Sequence, residues 1–198
     1  MSRRPTRGWG RGARWAGALV LTVTLGGCGS QYDDPGGSDV TDGAESSLSP
    51  EQADQQMAQY RETVRGETKE VGRVLAESVG GRLMFAVGRY TLCTDDGAGW
   101  AYDVSGRVDP PADAPRPLHE PVSSGLQELG YAVEERVEPS GDARVIADRD
   151  QVTVTVQENA DAPMLLFRVS SPCLIVPEGQ RDSYPREEPS PDVVPNRN

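Results

Sequence analysis

The stretch that decides the fold is residues 49–93, SPEQADQQMAQYRETVRGETKEVGRVLAESVGGRLMFAVGRYTLC. At its start, Ser49 suits a helix N-cap, Pro50 the first helical position and Gln52 the capping-box position. Six apolar residues then recur at spacings of three, four or seven and share one helix face: Met57, Tyr60, Val64, Val71, Leu75 and Val79. A Gly-Gly pair at 80–81 ends this helix, and the apolar run 82–93 predicts a central strand.

A second helix and further strands follow. The turn signal Asp95-Asp96-Gly97 leads into an alternating segment at 100–104, which predicts a half-buried strand. After a proline-rich loop, a helix is predicted at 118–129, with Gly130 as its stop. Its inward-facing residues are Leu118, Val122, Leu126 and Leu129. Later apolar segments predict strands at 131–137, 143–147, 152–156 and 164–169.

This pattern predicts an α+β fold in the order α-β-β-α-β-β-β, with room for one more strand break. Short connections favour antiparallel pairing, so both helices must cover the same face of the sheet. We therefore expect a two-layer sandwich in which two helices cover an antiparallel sheet of about five strands.

The N-terminus carries an export signal. Residues 3–14 contain five arginines and no acid, and the apolar run 15–25 is too short to span a bilayer as a helix. The run ends in Leu25-Gly26-Gly27-Cys28, which resembles the bacterial lipobox. This resemblance implies cleavage before Cys28 and acylation of its thiol, with palmitate-type chains holding the protein on the extracytoplasmic face of the cell membrane. The alternative is an ordinary secretory signal that releases a soluble protein.

With Cys28 assigned to lipid, Cys93 and Cys173 are the two cysteines left in an oxidising compartment. We predict that they form a disulfide, which would bring the ends of the first and last strands together. Two free thiols or a metal-binding pair are the alternatives.

Composition limits the partners. The chain from Cys28 onward has 15 Lys and Arg against 31 Asp and Glu, a net charge of −16. This charge excludes nucleic-acid binding driven by the overall electrostatic field of the protein. Nineteen of the twenty basic residues in the whole chain are Arg, Lys69 being the exception. Together with the lipobox, this composition resembles the small lipoproteins of actinobacteria.

Four regions are predicted. Residues 1–27 are the signal peptide, and 28–48 are the lipidated cysteine followed by a disordered acidic Gly/Ser/Asp tether. Residues 49–177 form the globular domain, and 178–198 are a disordered proline-rich tail.

The sequence offers little catalytic chemistry. The single histidine, His119, falls at the start of the second helix and is expected to be exposed. The chain has neither a Gly-x-Ser-x-Gly elbow nor a Ser-x-x-Lys pair. The acidic pairs at 95–96 and 148–150 lack the spacing of a calcium loop and are expected to be solvated turns. We therefore predict no catalytic residue, no metal site and no cofactor.

The first helix carries the one distinctive charge pattern. Four basic residues repeat every four positions in this otherwise acidic chain: Arg61, Arg65, Lys69 and Arg73. One interpretation is a contact with an anionic surface, such as lipid headgroups or cell-wall phosphates. The favoured interpretation is an ordinary helix surface in which Glu62, Glu70 and Glu77 pair with these cations. Tyr90, Trp100 and Tyr102 either line a ligand groove or pack in the core, and core packing is the favoured interpretation.

The resulting hypothesis is a membrane-anchored, non-catalytic binding or protein-interaction module of the cell envelope, whose partner is an unidentified envelope protein or ligand. Two alternatives stay open. One is an envelope hydrolase that uses paired carboxylates, and the other is an accessory subunit that stabilises an envelope complex.

Overall fold

A computed structural model describes residues 46–159, 162–184 and 191–193. The helices are α1 (Pro50–Ser78) and α2 (His119–Glu128), and a short 3-10 turn spans Glu178–Gln180. The strands are β1 (Arg82–Leu92), β2 (Gly99–Asp109), β3 (Ala132–Val137), β4 (Ala143–Arg149), β5 (Val152–Asn159), β6 (Ala162–Ser170), β7 (Leu174–Ile175) and β8 (Pro191–Val193). The predicted signal peptide, Cys28 and the tether as far as residue 45 lie outside the described residues.

Helix α1 begins as its capping chemistry predicts. The Ser49 hydroxyl accepts the Gln52 backbone N–H at 3.3 Å, and the Gln52 side-chain oxygen accepts the Ser49 N–H at 2.8 Å. All of the predicted apolar face is buried or packed against the core. The helix stops where Gly80 takes a φ of 62°, a conformation that favours glycine.

The strands form one antiparallel sheet in the order β3-β4-β5-β6-β2-β1-β8, with β7 pairing the first two residues of β2. The α+β class and the two helices are confirmed, but the prediction of about five strands is too low. Four strands of six or more residues follow α2, and the short β7 and β8 are added.

The predicted central position of β1 is wrong, because β1 lies next to the sheet edge and its outer neighbour β8 has only three residues. Its apolar character has another cause. Ala86 is buried under the helices, whereas Phe85 and Val87 are exposed on the opposite side of the sheet.

Both helices pack on the same face of the sheet. One continuous core joins α1 and α2 to the sheet, and it includes Leu75, Leu126, Tyr102 and Val154. We call the opposite side of the sheet the open face. Strand β5 shows the division, because Val152, Val154 and Val156 are buried under the helices while Thr153 and Thr155 between them point to the open face.

Cys93 and Cys173 form the predicted disulfide, with their Cα atoms 5.8 Å apart. It joins the end of β1 to the segment between β6 and β7 and closes a loop with a sequence separation of 80. Gly99 passes directly beneath it. A Cβ at this position would stand 2.7 Å from the Cys173 sulfur, so only glycine fits without displacement.

Arg149 on β4 ties the two helices together. Its guanidinium donates to the Leu129 carbonyl at the end of α2, at 2.5 Å, and to the Glu67 carboxylate on α1. It also lies 4.4 Å from the ring centroid of Tyr131, whose hydroxyl donates to Glu67 at 2.6 Å. Burial and then the bond to Glu67 raise the pKa of Tyr131, so its hydroxyl stays protonated at neutral pH.

The folded chain continues beyond the predicted boundary at 177. The Gln180 side chain donates to the Pro50 carbonyl at 2.9 Å, and the Tyr184 hydroxyl donates to Asp54 at 2.9 Å. Residues 178–184 therefore pack on the start of α1, because a buried amide and an aromatic ring find partners there. Residues 185–190 and 194–198 of the predicted tail lie outside the described residues.

Candidate functional site: a groove beside the first helix

A groove of about 570 Å³ runs between α1 and the β1 side of the core, and we call it the helix groove. One wall is the polar side of α1, and the other is formed by two tyrosines. Its charged and aromatic lining residues are Asp54, Arg61, Glu62, Arg65, Lys69, Tyr90 and Tyr184. Three cations and two acids give this lining a formal charge of +1, in a chain that is otherwise strongly acidic.

The structure brings together three of the four basic residues that the four-residue spacing picked out. Arg61, Arg65 and Lys69 all line the helix groove. Arg73 does not line it, and instead pairs with Glu77 at 2.7 Å, one helical turn further on, where both side chains are exposed. The ordinary-surface interpretation therefore holds for Arg73. Contact of the other three with an anion stays a prediction.

An aromatic cluster supports the groove from beneath. Tyr90 lines the groove and packs edge-on against the buried Tyr102, with their ring centroids 5.1 Å apart. Tyr184 completes the cluster at 5.4 Å from Tyr90 and 5.8 Å from Trp100. Trp100 and Tyr102 are core residues, as the favoured interpretation held, whereas Tyr90 belongs to both the core edge and the groove.

The sequence alone does not identify Tyr184, because the proline-rich segment around it favours a disordered tail. A lone aromatic residue just before that proline-rich run was the available signal. Its hydroxyl donates to Asp54, and burial followed by this bond raises the pKa of Tyr184. At neutral pH the Tyr184 hydroxyl is therefore a neutral donor that occupies one of the two groove acids.

The expectation that His119 is exposed is wrong. It is 9% exposed, and its Nδ1 lies 2.9 Å from Oε2 of the buried Glu158 on β5. The same carboxylate accepts the backbone N–H groups of Leu118, at 3.0 Å, and of His119, at 2.9 Å. Helix α2 has no N-cap hydrogen bond from its own cap residue, so a carboxylate from the sheet stabilises its positive end instead.

This His–Glu pair is structural in character. Both oxygens of Glu158 are engaged by helix N–H groups and the imidazole, and the Arg116 guanidinium lies 3.7 Å away. A carboxylate held in this way is not available to take a proton from a substrate.

Two exposed carboxyl groups have pKa values held below the usual range. The cause is chiefly the Ala98 N–H for Asp96 and the Arg136 guanidinium for Glu134. That direction is opposite to the raised pKa that an acid catalyst needs.

The acidic turns are engaged by the protein itself. Asp96 accepts the Ala98 N–H at 3.0 Å, and Asp148 accepts the Thr153 hydroxyl at 2.6 Å. Over residues 46–159 and 162–184, no three His, Cys, Asp or Glu side chains are grouped as metal ligands would be. Within the described chain, no helix is both long enough and apolar enough to cross a bilayer.

Comparison with known proteins gives one distant likeness. No protein-family model matches the chain, and no curated protein matches it. The chain is similar to the crystal structure of the putative lipoprotein LppA from Mycobacterium tuberculosis, with 9% identity and a TM-score of 0.34, over 69% of this chain and 92% of that one. At this TM-score the likeness assigns neither a family nor an activity to this protein.

Proposed function

We propose that this protein is a lipid-anchored extracytoplasmic lipoprotein whose domain acts as a non-catalytic binding module, with the helix groove as its ligand site. The observation that carries the binding site is the meeting of Arg61, Arg65 and Lys69 with Tyr90 and Tyr184 in one groove. The lipobox Leu25-Gly26-Gly27-Cys28 supports the anchor.

The groove chemistry favours a small anionic ligand. Guanidinium groups bind phosphate and carboxylate through paired hydrogen bonds, and an ammonium adds a mobile point charge. Tyrosine rings offer an apolar face beside these charges. The proposed ligand class is therefore a phosphate- or carboxylate-bearing compound with a flat apolar or sugar-like part, taken from the cell envelope.

Binding is favoured over hydrolysis because the buried carboxylate nearest the histidine caps a helix. The accessory-subunit alternative requires a protein partner instead of a small anion. Pull-down of the membrane-extracted protein distinguishes the two, since a stabilising subunit would recover one stoichiometric partner.

The groove is tested with a soluble chain of residues 29–198, which keeps every described residue, the core and the disulfide. Its ¹H–¹⁵N spectrum is titrated with inorganic phosphate and, separately, with glucuronate as a carboxylate probe. The amide signals of Gly66, Tyr90 and Tyr184 should shift together and saturate with at least one probe.

A matched pair of variants gives the control, because Arg65 and Arg73 lie on the same helix but only Arg65 lines the groove. Arg65→Gln should weaken the apparent affinity about tenfold, the effect expected when one charge-assisted contact is lost. Arg73→Gln should change it less than about twofold. Equal effects of the two substitutions, or shifts that never saturate, would contradict the proposed site.

A further inference from the structure

The open face of the sheet carries a row of side chains that combines apolar and cationic groups. Pairing across six strands places six residues in line: Phe85, Arg107, Leu166, Gln157, Arg144 and Arg136. With strands about 4.8 Å apart, the row spans about 24 Å. It contains three arginines and no acid.

The adjacent row continues the same chemistry. Its members, in the same strand order, are Val87, Ser105, Arg168, Thr155, Ile146 and Glu134. The only acid in the two rows, Glu134, lies on the edge strand β3 and pairs with Arg136 at 2.8 Å. Arg107 also pairs with Asp109 on its own strand at 2.5 Å, so the positive charge in the middle of the open face comes mainly from Arg144 and Arg168.

Exposed apolar side chains lie among these cations. Phe85, Val87 and Leu166 are 43%, 40% and 44% exposed; Phe85 and Leu166 lie in the first row and Val87 in the adjacent row. A shallow groove of about 500 Å³ between Phe85 and Leu166 is flanked by Arg144 and Arg168. Arg144 has no ion pair with any described residue, and the carboxylate paired with Arg168, that of Asp103, is 3.9 Å away. Apolar surface grouped in this way marks a contact surface.

We propose that the open face lies on an anionic lipid surface, with its arginines at the headgroup phosphates and Phe85, Val87 and Leu166 at the level of the upper acyl chains. Charge decides between the possible occupants. A second copy packed face to face would set arginine rows against each other, whereas an anionic bilayer complements them. The proposal rests on the proposed function in one respect: the lipid on Cys28 and a tether with a reach of about 25 Å keep the domain beside the membrane.

The net charge of the chain does not prevent this contact. Helix α1 and its side chains add a layer about 10–12 Å thick above the sheet. At physiological ionic strength the Debye length is about 8 Å, so acids on the helix side are screened from the bilayer while the open-face arginines are not. In this orientation the helix groove points away from the membrane, toward the envelope.

The test measures vesicle binding by the unlipidated chain of residues 29–198 at about 0.15 M salt. The vesicles are pure phosphatidylcholine or an equal mixture of phosphatidylglycerol and phosphatidylcholine, and bound protein is separated by sedimentation. The protein should bind the anionic vesicles and bind only weakly to the neutral ones. Because this chain lacks the lipid, the result does not depend on acylation of Cys28, and the helix-side variant described next separates the open face from the helix groove.

Two double variants remove the same charge from opposite sides. Arg144→Gln with Arg168→Gln should lower the partition onto anionic vesicles about 30-fold, which corresponds to about 1 kcal/mol for each arginine. Arg65→Gln with Arg73→Gln should leave it within about twofold, and matching circular dichroism spectra would show that both variants fold. The proposal is overturned by no binding to anionic vesicles, by equal binding to both compositions, or by a greater loss in the helix pair.

Discussion

Replacing Glu158 with alanine tests whether this carboxylate on β5 caps the N-terminus of α2. The substitution removes the acceptor of two backbone N–H groups and of the His119 imidazole, all within about 3 Å of the carboxylate. Glu158 is 5% exposed, so water does not readily replace it. Unsatisfied buried donors cost about 1–3 kcal/mol each, and three donors lose their acceptor here. These terms overlap, so we expect Glu158→Ala to lower the free energy of unfolding by about 3–5 kcal/mol.

The assay is urea unfolding followed by far-ultraviolet circular dichroism at pH 7, with the disulfide intact. Glu120→Ala is the matched control, because Glu120 is an exposed acid in the first turn of the same helix. That change should cost less than about 1 kcal/mol, the size of a surface helix-dipole interaction. If Glu158→Ala lost no more stability than Glu120→Ala, the capping role would be refuted.

Three other expected outcomes follow from the fold. Replacing Cys93 and Cys173 together with alanine should lower the free energy of unfolding by about 4.5 kcal/mol, the chain-entropy value for a loop of 80 residues; unchanged thermal unfolding would contradict it. Burial is the main cause that raises the pKa of Tyr131 above its usual value of 10.0, so the stability that its protonated hydroxyl contributes is complete below pH 10 and is lost as the pH rises further. Tyr131→Phe should therefore make the free energy of unfolding fall less steeply between pH 10 and 11. An unchanged pH dependence would count against this. Ending the chain at residue 177 removes the Tyr184 contacts and should lower the thermal midpoint, whereas an unchanged midpoint would show that residues 178–184 do not stabilise the domain.

Local chemistry was enough to predict the helices. The Ser49 capping box, the apolar spacing from Met57 to Val79 and the Gly80 stop all depend on residues within a few positions of each other. The disulfide was also predictable, because it followed from counting the cysteines that remain once Cys28 is assigned to the lipobox, and not from geometry.

Features that depend on distant residues were not predictable in the same way. The cap of α2 comes from Glu158, about 40 positions away from the helix start, and no local signal connects the two. The sequence of strand β1 predicts full burial because its apolar residues face both sides of the sheet, yet Phe85 is exposed on a face that neither α1 nor α2 covers.

The candidate site was predicted only in part, because it too depends on residues that are distant in the sequence. A four-residue period identified the cations of α1, but a helix surface alone does not show which cations share a groove with an aromatic ring. Arg65 lines the groove and Arg73 does not, because Tyr90 and Tyr184 lie beside the helix only near Arg65. Tyr184 comes from a segment more than 100 residues further along the chain.

The anchor is tested most directly by labelling cells with an alkyne fatty acid and comparing the protein with its Cys28→Ala variant. The lipobox predicts a labelled, membrane-bound protein that begins at Cys28, and an unlabelled variant. An unacylated mature polypeptide in the culture fluid, or a cytosolic protein that keeps residues 1–27, would contradict a domain that works while tethered outside the cell.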